Sequence, residues 1–410
     1  MSRNKNNILF LRRQFTFEQK GDIAHYIHDA QCANAAAELG YNALLVFVET
    51  GSRVKSPLSL FILPKPAPPS QKFKGFYRVG DRVRVLEFPI SWPLDSVSIK
   101  GLSGEALSIA WYLNLFVKRG ASLVHTQDLL LAEIAVKAGI PVVYEQHYFG
   151  KAHFKEKLVR SPLFKLAIVQ SDITKQHLVA NGMPEEKVRV MHNGFNKRFL
   201  ERMSEAAEAW REKLLRPGEK YLVVYSGALY DFKGVDILID IAKDMPEIRF
   251  ALTGGGEEKL KRYRSLLRDK AIGNVTFHGW LESQNELTAL FQAADIMAHP
   301  HHTRHGDYTN PVKFFQYLAS GTPIALTDLP FVEEFKDKGL AIEVCDPDDP
   351  EAYKECLRRT LSRRPRKEKG YIENIEFAKN FTWEKRMKMI FAAAGVRLKE
   401  RKGHIPLTGL

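Results

Sequence analysis

The chain has 410 residues, 45% of them hydrophobic and 27% charged, with a formal net charge of +13. This size predicts two or three domains, and the lack of any apolar run near ~20 residues excludes a membrane-spanning helix. The excess of positive charge favours anionic partners such as nucleotides, acidic lipid surfaces or nucleic acid.

From the N-terminus, short apolar runs alternate with helical patterns. The runs predict strands at 8–11, 43–48, 83–86, 122–125, 141–144, 166–169 and 188–191, followed by a second series at 221–226, 248–253, 275–278, 295–299, 323–326 and 340–344. Helical patterns fall between them, at 25–39, 130–138, 235–243, 258–268 and 286–293. Such alternation argues for parallel sheets with helices on both faces. The number of strands is too large for one comfortable sheet, so the expected fold class is α/β, with two doubly wound Rossmann-like domains facing a cleft. Residues 50–100 are poor in helical periodicity and rich in proline, and are expected to form a loop-rich insertion in the first domain. The expected boundaries are 1–200 for the first domain and 201–375 for the second, with 376–395 a helix crossing back to the first. Residues 205–215 are expected to be a helix bridging the domains.

The first apolar run, Ile8–Leu11, is too short for the core of an export signal, so the expected location is cytoplasmic or peripheral at the inner face of the membrane. Cys32, Cys345 and Cys356 form no CxxC pair, which argues against disulfides and structural zinc. In residues 149–166, Lys151, Lys155, Lys157 and Arg160 interleave with Phe149, Phe154, Leu158, Leu163 and Phe164. That mixture suits either a peripheral, in-plane contact with an anionic membrane or a solvated helix face. The basic run 358–367 is expected to be a solvated face.

Three segments carry chemistry. Tyr225-Ser226-Gly227 leads from a strand through a glycine turn to Lys233-Gly234-Val235-Asp236, which sets a lysine beside a helix start, a natural phosphate partner. Gly254-Gly255-Gly256 follows a strand and permits close backbone approach or a tight turn. Asn310-Pro311 is a good helix start and Gly321 a good stop. The open N–H groups and dipole at such a start attract anions. Asp346-Pro347-Asp348 has a DxD spacing but is expected to cap the helix that follows, and Asp295 to orient a strand turn.

In order and spacing these segments resemble the retaining glycosyltransferases of family 4, which have the GT-B fold. The likeness extends through residues 275–281, 293–300 and 323–330, and to Val142–His147 and Val188–Phe195 in the first domain. The resemblance implies a UDP-sugar or GDP-sugar donor, a sugar or lipid-linked acceptor, and no metal. It implies that Lys233, Gly21, Gly227 and the amides of Thr309 and Asn310 meet the donor diphosphate. Gln316 would bond the ribose, and backbone around Gly255, Gly279, Trp280 and Leu281 would meet the base. His147 matches the first-domain histidine near the transferred sugar.

The chain departs from the family at three points. Gln316 replaces the second glutamate of an E-x7-E pair, the first falls at Tyr308, and Ala228 stands where an arginine is usual. Asp307 is the substitute acid, giving a catalytic set of His147, Asp307 and Lys233. Arg304 or Lys313 is the substitute cation. The rival expectation is a non-catalytic nucleotide-sugar-binding subunit of a glycosyltransferase pair. A nucleotide-sugar epimerase would need further acid/base residues, and no nucleic-acid motif accompanies the charge.

Overall fold

The computed structural model describes residues 7–16, 24–54, 64–91, 103–117, 120–147, 149, 153–281, 283–303 and 312–395. Gly21, Lys151, Arg304, Asp307, Tyr308, Thr309 and Asn310 lie outside the described residues. The chain divides into two compact units, Met1–His192 with Trp383–Leu410, and Asn193–Thr382.

The first unit holds β1 (Asn7–Leu11), β2 (Asn42–Val54), β3 (Arg84–Ser91), β4 (Ala121–Thr126), β5 (Val142–Glu145), β6 (Phe164–Val169) and β7 (Val188–Val190). They form one sheet of order β3-β2-β1-β4-β5-β6-β7, and the ladders joining them are parallel. Strand residues alternate between two buried faces. Leu9, Leu11, Val124, Val142 and Tyr144 share one core, while Ile8, Phe10, Leu123, Val143 and Ile168 share the other. The helix Trp383–Ala394 closes the second core with Met387, Ile390 and Phe391, against the alanine-rich helix Ala24–Glu38.

Parts of the expected insertion are more regular than its composition suggests. Ser70 caps a helix, Gln71–Tyr77, by accepting from the Phe73 amide, and Phe73 and Tyr77, four residues apart, are both buried. The apolar residues of the basic segment are also largely internal. Phe154, Leu158 and Phe164 belong to the core, Lys155 pairs with Glu133, and Arg160 pairs with Glu156. Only Phe149 of the five is an exposed large hydrophobic residue. The apolar half of the in-plane membrane reading is thus already used in packing.

The second unit holds β8 (Tyr221–Ser226), β9 (Ile248–Thr253), β10 (Val275–Gly279), β11 (Ile296–His299), β12 (Ile324–Thr327) and β13 (Ile342–Cys345). Their order is β10-β9-β8-β11-β12-β13, again through parallel ladders. The helix expected to bridge the domains, here Ser204–Leu214, belongs wholly to this unit. Ala207 and Leu214 enter its core, and Arg211 reaches Asp295 at 2.7 Å. Asp295 also accepts from the Leu222 amide at 2.7 Å, so it orients the start of β11 against β8.

Each sheet reverses its strand order once, between β1 and β4 and between β8 and β11. Crevices at the carboxyl ends of such switch strands are where doubly wound sheets bind ligands.

Candidate active site

In the second unit, the switch point is shaped by close backbone approach. Gly227 follows β8, Gly254 follows β9 and Gly279 ends β10. The Gly254 amide donates to the Gly279 carbonyl at 2.6 Å, and a Cβ on Gly254 would lie 2.1 Å from the Gly227 carbonyl oxygen. Side chains are therefore excluded where the three strand ends meet, and backbone lines the surface. Trp280, just beyond, is 54% exposed. Gly255 is occupied differently: its missing Cβ makes room for Leu229, at 2.5 Å.

The lysine loop sits on the end of β11. Asp231–Lys233 is a 3-10 turn, and Gly234 follows at φ 67°. A Cβ on Gly234 would fall 1.6 Å from the Pro300 carbonyl oxygen, so only glycine allows this contact. The His302 amide donates to the Phe232 carbonyl at 3.0 Å, which joins the two loops. Burial pushes the Lys233 ammonium down to about 8. Among the described residues no carboxylate lies within ion-pair reach of it; the Phe232 ring lies 4.9 Å away. A half-buried cation without a counter-charge is an anion site in physical terms.

The helix Val312–Ser320 brings a second cation. Tyr317 accepts from the Ser226 amide at 2.9 Å and donates to the Ser226 carbonyl at 3.0 Å, which fixes the helix to the end of β8. One turn earlier on the same face, Lys313 donates to Ser226 Oγ at 3.2 Å. Gln316 Oε1 is buried and has no hydrogen-bond partner among the described residues. The helix stops at Gly321, φ 73°, as its sequence predicts.

Sequence reasoning missed several neighbours. Lys259 donates to the Leu229 carbonyl at 2.8 Å and lies 4.8 Å above the Tyr230 ring. His299 and His301 flank Pro300 at the end of β11, visible in the sequence as a histidine-rich run but read there only as a strand end. The DxD expectation is corrected: Asp349, not Asp346 or Asp348, caps the next helix, accepting from Glu351 and Ala352 amides. Asp348 instead holds His302 Nδ1 at 2.5 Å, while Asp236 holds its Nε2 at 3.1 Å.

The first unit builds a second polar cluster, at the ends of β4 and β5. Glu145 is fully buried. It meets His28 Nε2 at 3.0 Å, His125 Nε2 at 3.1 Å, His147 Nε2 at 2.6 Å and the Arg386 guanidinium. Arg386 also donates to the His192 carbonyl at 2.8 Å. Burial opposes ionisation of Glu145, but Arg386, His28 and His147 hold its carboxyl well below the ordinary range. Burial and the neighbouring His28 charge push His147 down to about 4, against the pull of Glu145. His147 is therefore neutral near pH ~7, with its Nε2–H on Glu145 and, among the described residues, no hydrogen bond to its Nδ1. Burial disfavours the charged form of His28, yet Cys32, Glu145 and Asp29 together raise it. Asp29, lowered to about 2, is bound by Arg12 and, at 2.6 Å, by Gln127. Ligand atoms of His28, Glu145 and His147 lie within 4.8 Å of one another, close enough for a metal ion. Here the Arg386 guanidinium holds the same Glu145 oxygen as both histidines, so the cation that the cluster calls for is supplied by the chain itself.

A family model described as Glycosyltransferase Family 4 matches residues 32–199, and one described as Glycosyl transferases group 1 matches residues 206–377. The chain is 27% identical over 195 residues to a D-inositol 3-phosphate glycosyltransferase of Corynebacterium aurimucosum, covering 45% of this chain and 44% of that protein. It is 26% identical over 168 residues to an alpha-galactosylglucosyldiacylglycerol synthase of Streptococcus pneumoniae, covering 40% and 43%. The matched segment thus spans less than half the length of these curated relatives. The crystal structure of Anabaena Alr3699/HepE with UDP and glucose superposes with a TM-score of 0.67 at 17% identity, over 94% of this chain and 98% of that one, a likeness of fold.

Proposed function

Because the chain belongs to the family 4 glycosyltransferases of GT-B fold, we propose that it transfers a sugar from a nucleoside-diphosphate donor to an acceptor hydroxyl, with retention at the anomeric carbon and without a metal cofactor. The observation that carries this reading is the half-buried Lys233, which lacks a carboxylate among the described residues at the β8/β11 switch point, with Lys313 one strand end away. Uridine is the preferred base, since the related Anabaena structure binds UDP. The exposed Trp280 and the bare backbone at Gly254 and Gly279 suit a nucleoside, and the unpartnered Gln316 Oε1 suits a ribose hydroxyl.

In this mechanism the donor C1–O bond breaks as the acceptor oxygen bonds to C1 on the same face. The acceptor's proton passes to the departing diphosphate. Charge grows on that leaving group, where Lys233, Lys313 and the amides of Thr309 and Asn310 meet it. Fixed donors of this kind stabilise developing charge because they need no reorganisation. His147, neutral and with Nδ1 open, accepts a hydrogen bond from a sugar hydroxyl, and Asp307 supplies the acidic group near the sugar. The acceptor is proposed to be lipid-linked or a cell-envelope glycan, met at the cytoplasmic face of a membrane. The diacylglycerol-linked name of the Streptococcus relative and the net charge of +13 support this choice.

The test is nucleoside-diphosphate release from UDP-sugars and GDP-sugars, with and without lipid acceptors, and the anomeric configuration of the product. Lys233→Ala is expected to lower kcat/KM by about 10²–10³-fold. Full activity in that variant, or an inverted product, would count against the proposal.

A further inference from the structure

The mechanism above gives no task to the two histidines at the end of β11. His299 is 1% exposed, and neither ring nitrogen has a hydrogen-bond partner among the described residues. His301 is 5% exposed, and its ring lies against that of His299, with centroids 3.8 Å apart and planes tilted by 38°. The backbone of both residues is well held. The His299 amide donates to Tyr353 Oη at 3.0 Å, and the His301 carbonyl accepts from Thr327 Oγ1 at 2.7 Å. The unmet hydrogen-bonding capacity is that of the His299 ring, against which the His301 ring lies. A buried polar atom left unpaired costs on the order of 1–3 kcal/mol, and such an exception needs a cause. Packing alone would be served better by phenylalanine or leucine.

The groups around the pair define what is missing. The Phe331 and Tyr317 rings cover His299 at 5.7 and 6.5 Å. Tyr353, from the helix Pro350–Arg363, accepts from the His299 backbone amide and donates to the Ala325 carbonyl at 2.8 Å. Lys233, from the adjoining loop, acts electrostatically on both histidines, and His302 acts on His301. The two acids nearby, Asp236 and Asp348, are engaged by His302. The pair therefore faces cations and rings, and no carboxylate bonds either imidazole among the described residues. Burial and the Lys233 charge keep both rings neutral.

We propose that His301 is a further ligand of the donor diphosphate, and that the His299–His301 pair takes up one proton from solvent when this group binds beside Lys233. The inference rests on the reading of this crevice as a nucleoside-diphosphate site. The bound anion replaces a repulsive field with an attractive one, so the proton enters a ring and the new N–H donates to a phosphate oxygen. Because binding consumes a proton, the affinity rises as pH falls.

The experiment is calorimetry of UDP binding to the full chain at about pH 7 in two buffers of different ionisation enthalpy, where Lys233 is already mostly charged. The wild type is expected to take up about 0.5–1 proton more per UDP than His301→Gln. Its Kd should weaken about tenfold between about pH 6 and 8, and that of the variant by less. Equal proton uptake by the two proteins, with UDP still bound, overturns the inference but leaves the site assignment standing. Failure of the wild type to bind either UDP or inorganic pyrophosphate overturns both. If His301→Gln does not fold, ¹³C-histidine NMR of the wild type serves instead. A ring carbon moving to the imidazolium position on adding UDP supports the inference, and unchanged ring signals overturn it.

Discussion

The two units gather polar side chains at their switch strands in opposite ways. Around Glu145 every charge has an answer: Arg386 and three histidines converge on one carboxylate, and Asp29 is held by Arg12 and Gln127. Around Lys233 the accounts stay open: an ammonium has no carboxylate among the described residues, His299 has two unpartnered nitrogens and Gln316 one unpartnered oxygen. A charge-balanced network holds a structure. An open one is completed by something that arrives. Perturbed groups alone would not separate the two, since both clusters contain them, nor do unpartnered ring nitrogens, since His125 Nδ1 in the first is buried without a partner too; the balance of charge does, because Glu145 and Asp29 have cationic partners and Lys233 has no carboxylate among the described residues.

The contrast can be broken most severely at Arg386. Replacing it with Met leaves Glu145 buried and uncompensated, and is expected to cost about 3–5 kcal/mol in chemical denaturation. The matching change in the other cluster, Lys233→Met, removes a desolvated charge that nothing balances. Stability without ligand should then stay within about 1 kcal/mol of wild type or rise, while the UDP-induced rise in Tm disappears. A large loss of stability in the Lys233 variant would mean that the second cluster is also a structural one.

Acid should separate the units more gently. His147 and His299 are held at about 4 and about 3, below the ordinary histidine value, and His301 lies well below it too. The unfolded chain then binds more protons than the folded one below about pH 6.5, so stability falls as pH drops towards these folded values. His28 and His302 are raised; their contributions are complete below the ordinary value and are lost only as pH rises through the folded one. Among the described residues the depressed histidines are His147 in the first unit and His278, His299 and His301 in the second. Hydrogen exchange between about pH 6.5 and 4.5 should therefore show the second unit opening first. The smallest effect is expected at Gln316: Gln316→Leu should change stability by less than about 1 kcal/mol and weaken UDP by about tenfold.

The fold was legible because strands buried on both faces read as continuous apolar runs between helical patterns; each expected run overlaps a strand in the structure. The helix Gln71–Tyr77 was hidden by its shortness and by flanking prolines. Lys233, Gly234 and Lys313 could be found because loop-to-helix chemistry is local. The Glu145 cluster could not. His28, His125, Glu145 and Arg386 come from four distant parts of the chain, and Arg386 sits in a helix whose Glu384-Lys385-Arg386 run reads as a solvated face. Only the return of that helix to the first unit makes its arginine a buried partner.

The account stands on the completion of the Lys233 site by pyrophosphate oxygens. A crystal structure of the full chain with UDP tests it most directly. The expected result places the β-phosphate within hydrogen-bond reach of Lys233 Nζ and a His301 ring nitrogen, with the ribose on Gln316. UDP bound elsewhere, with Lys233 and His301 untouched, would contradict it.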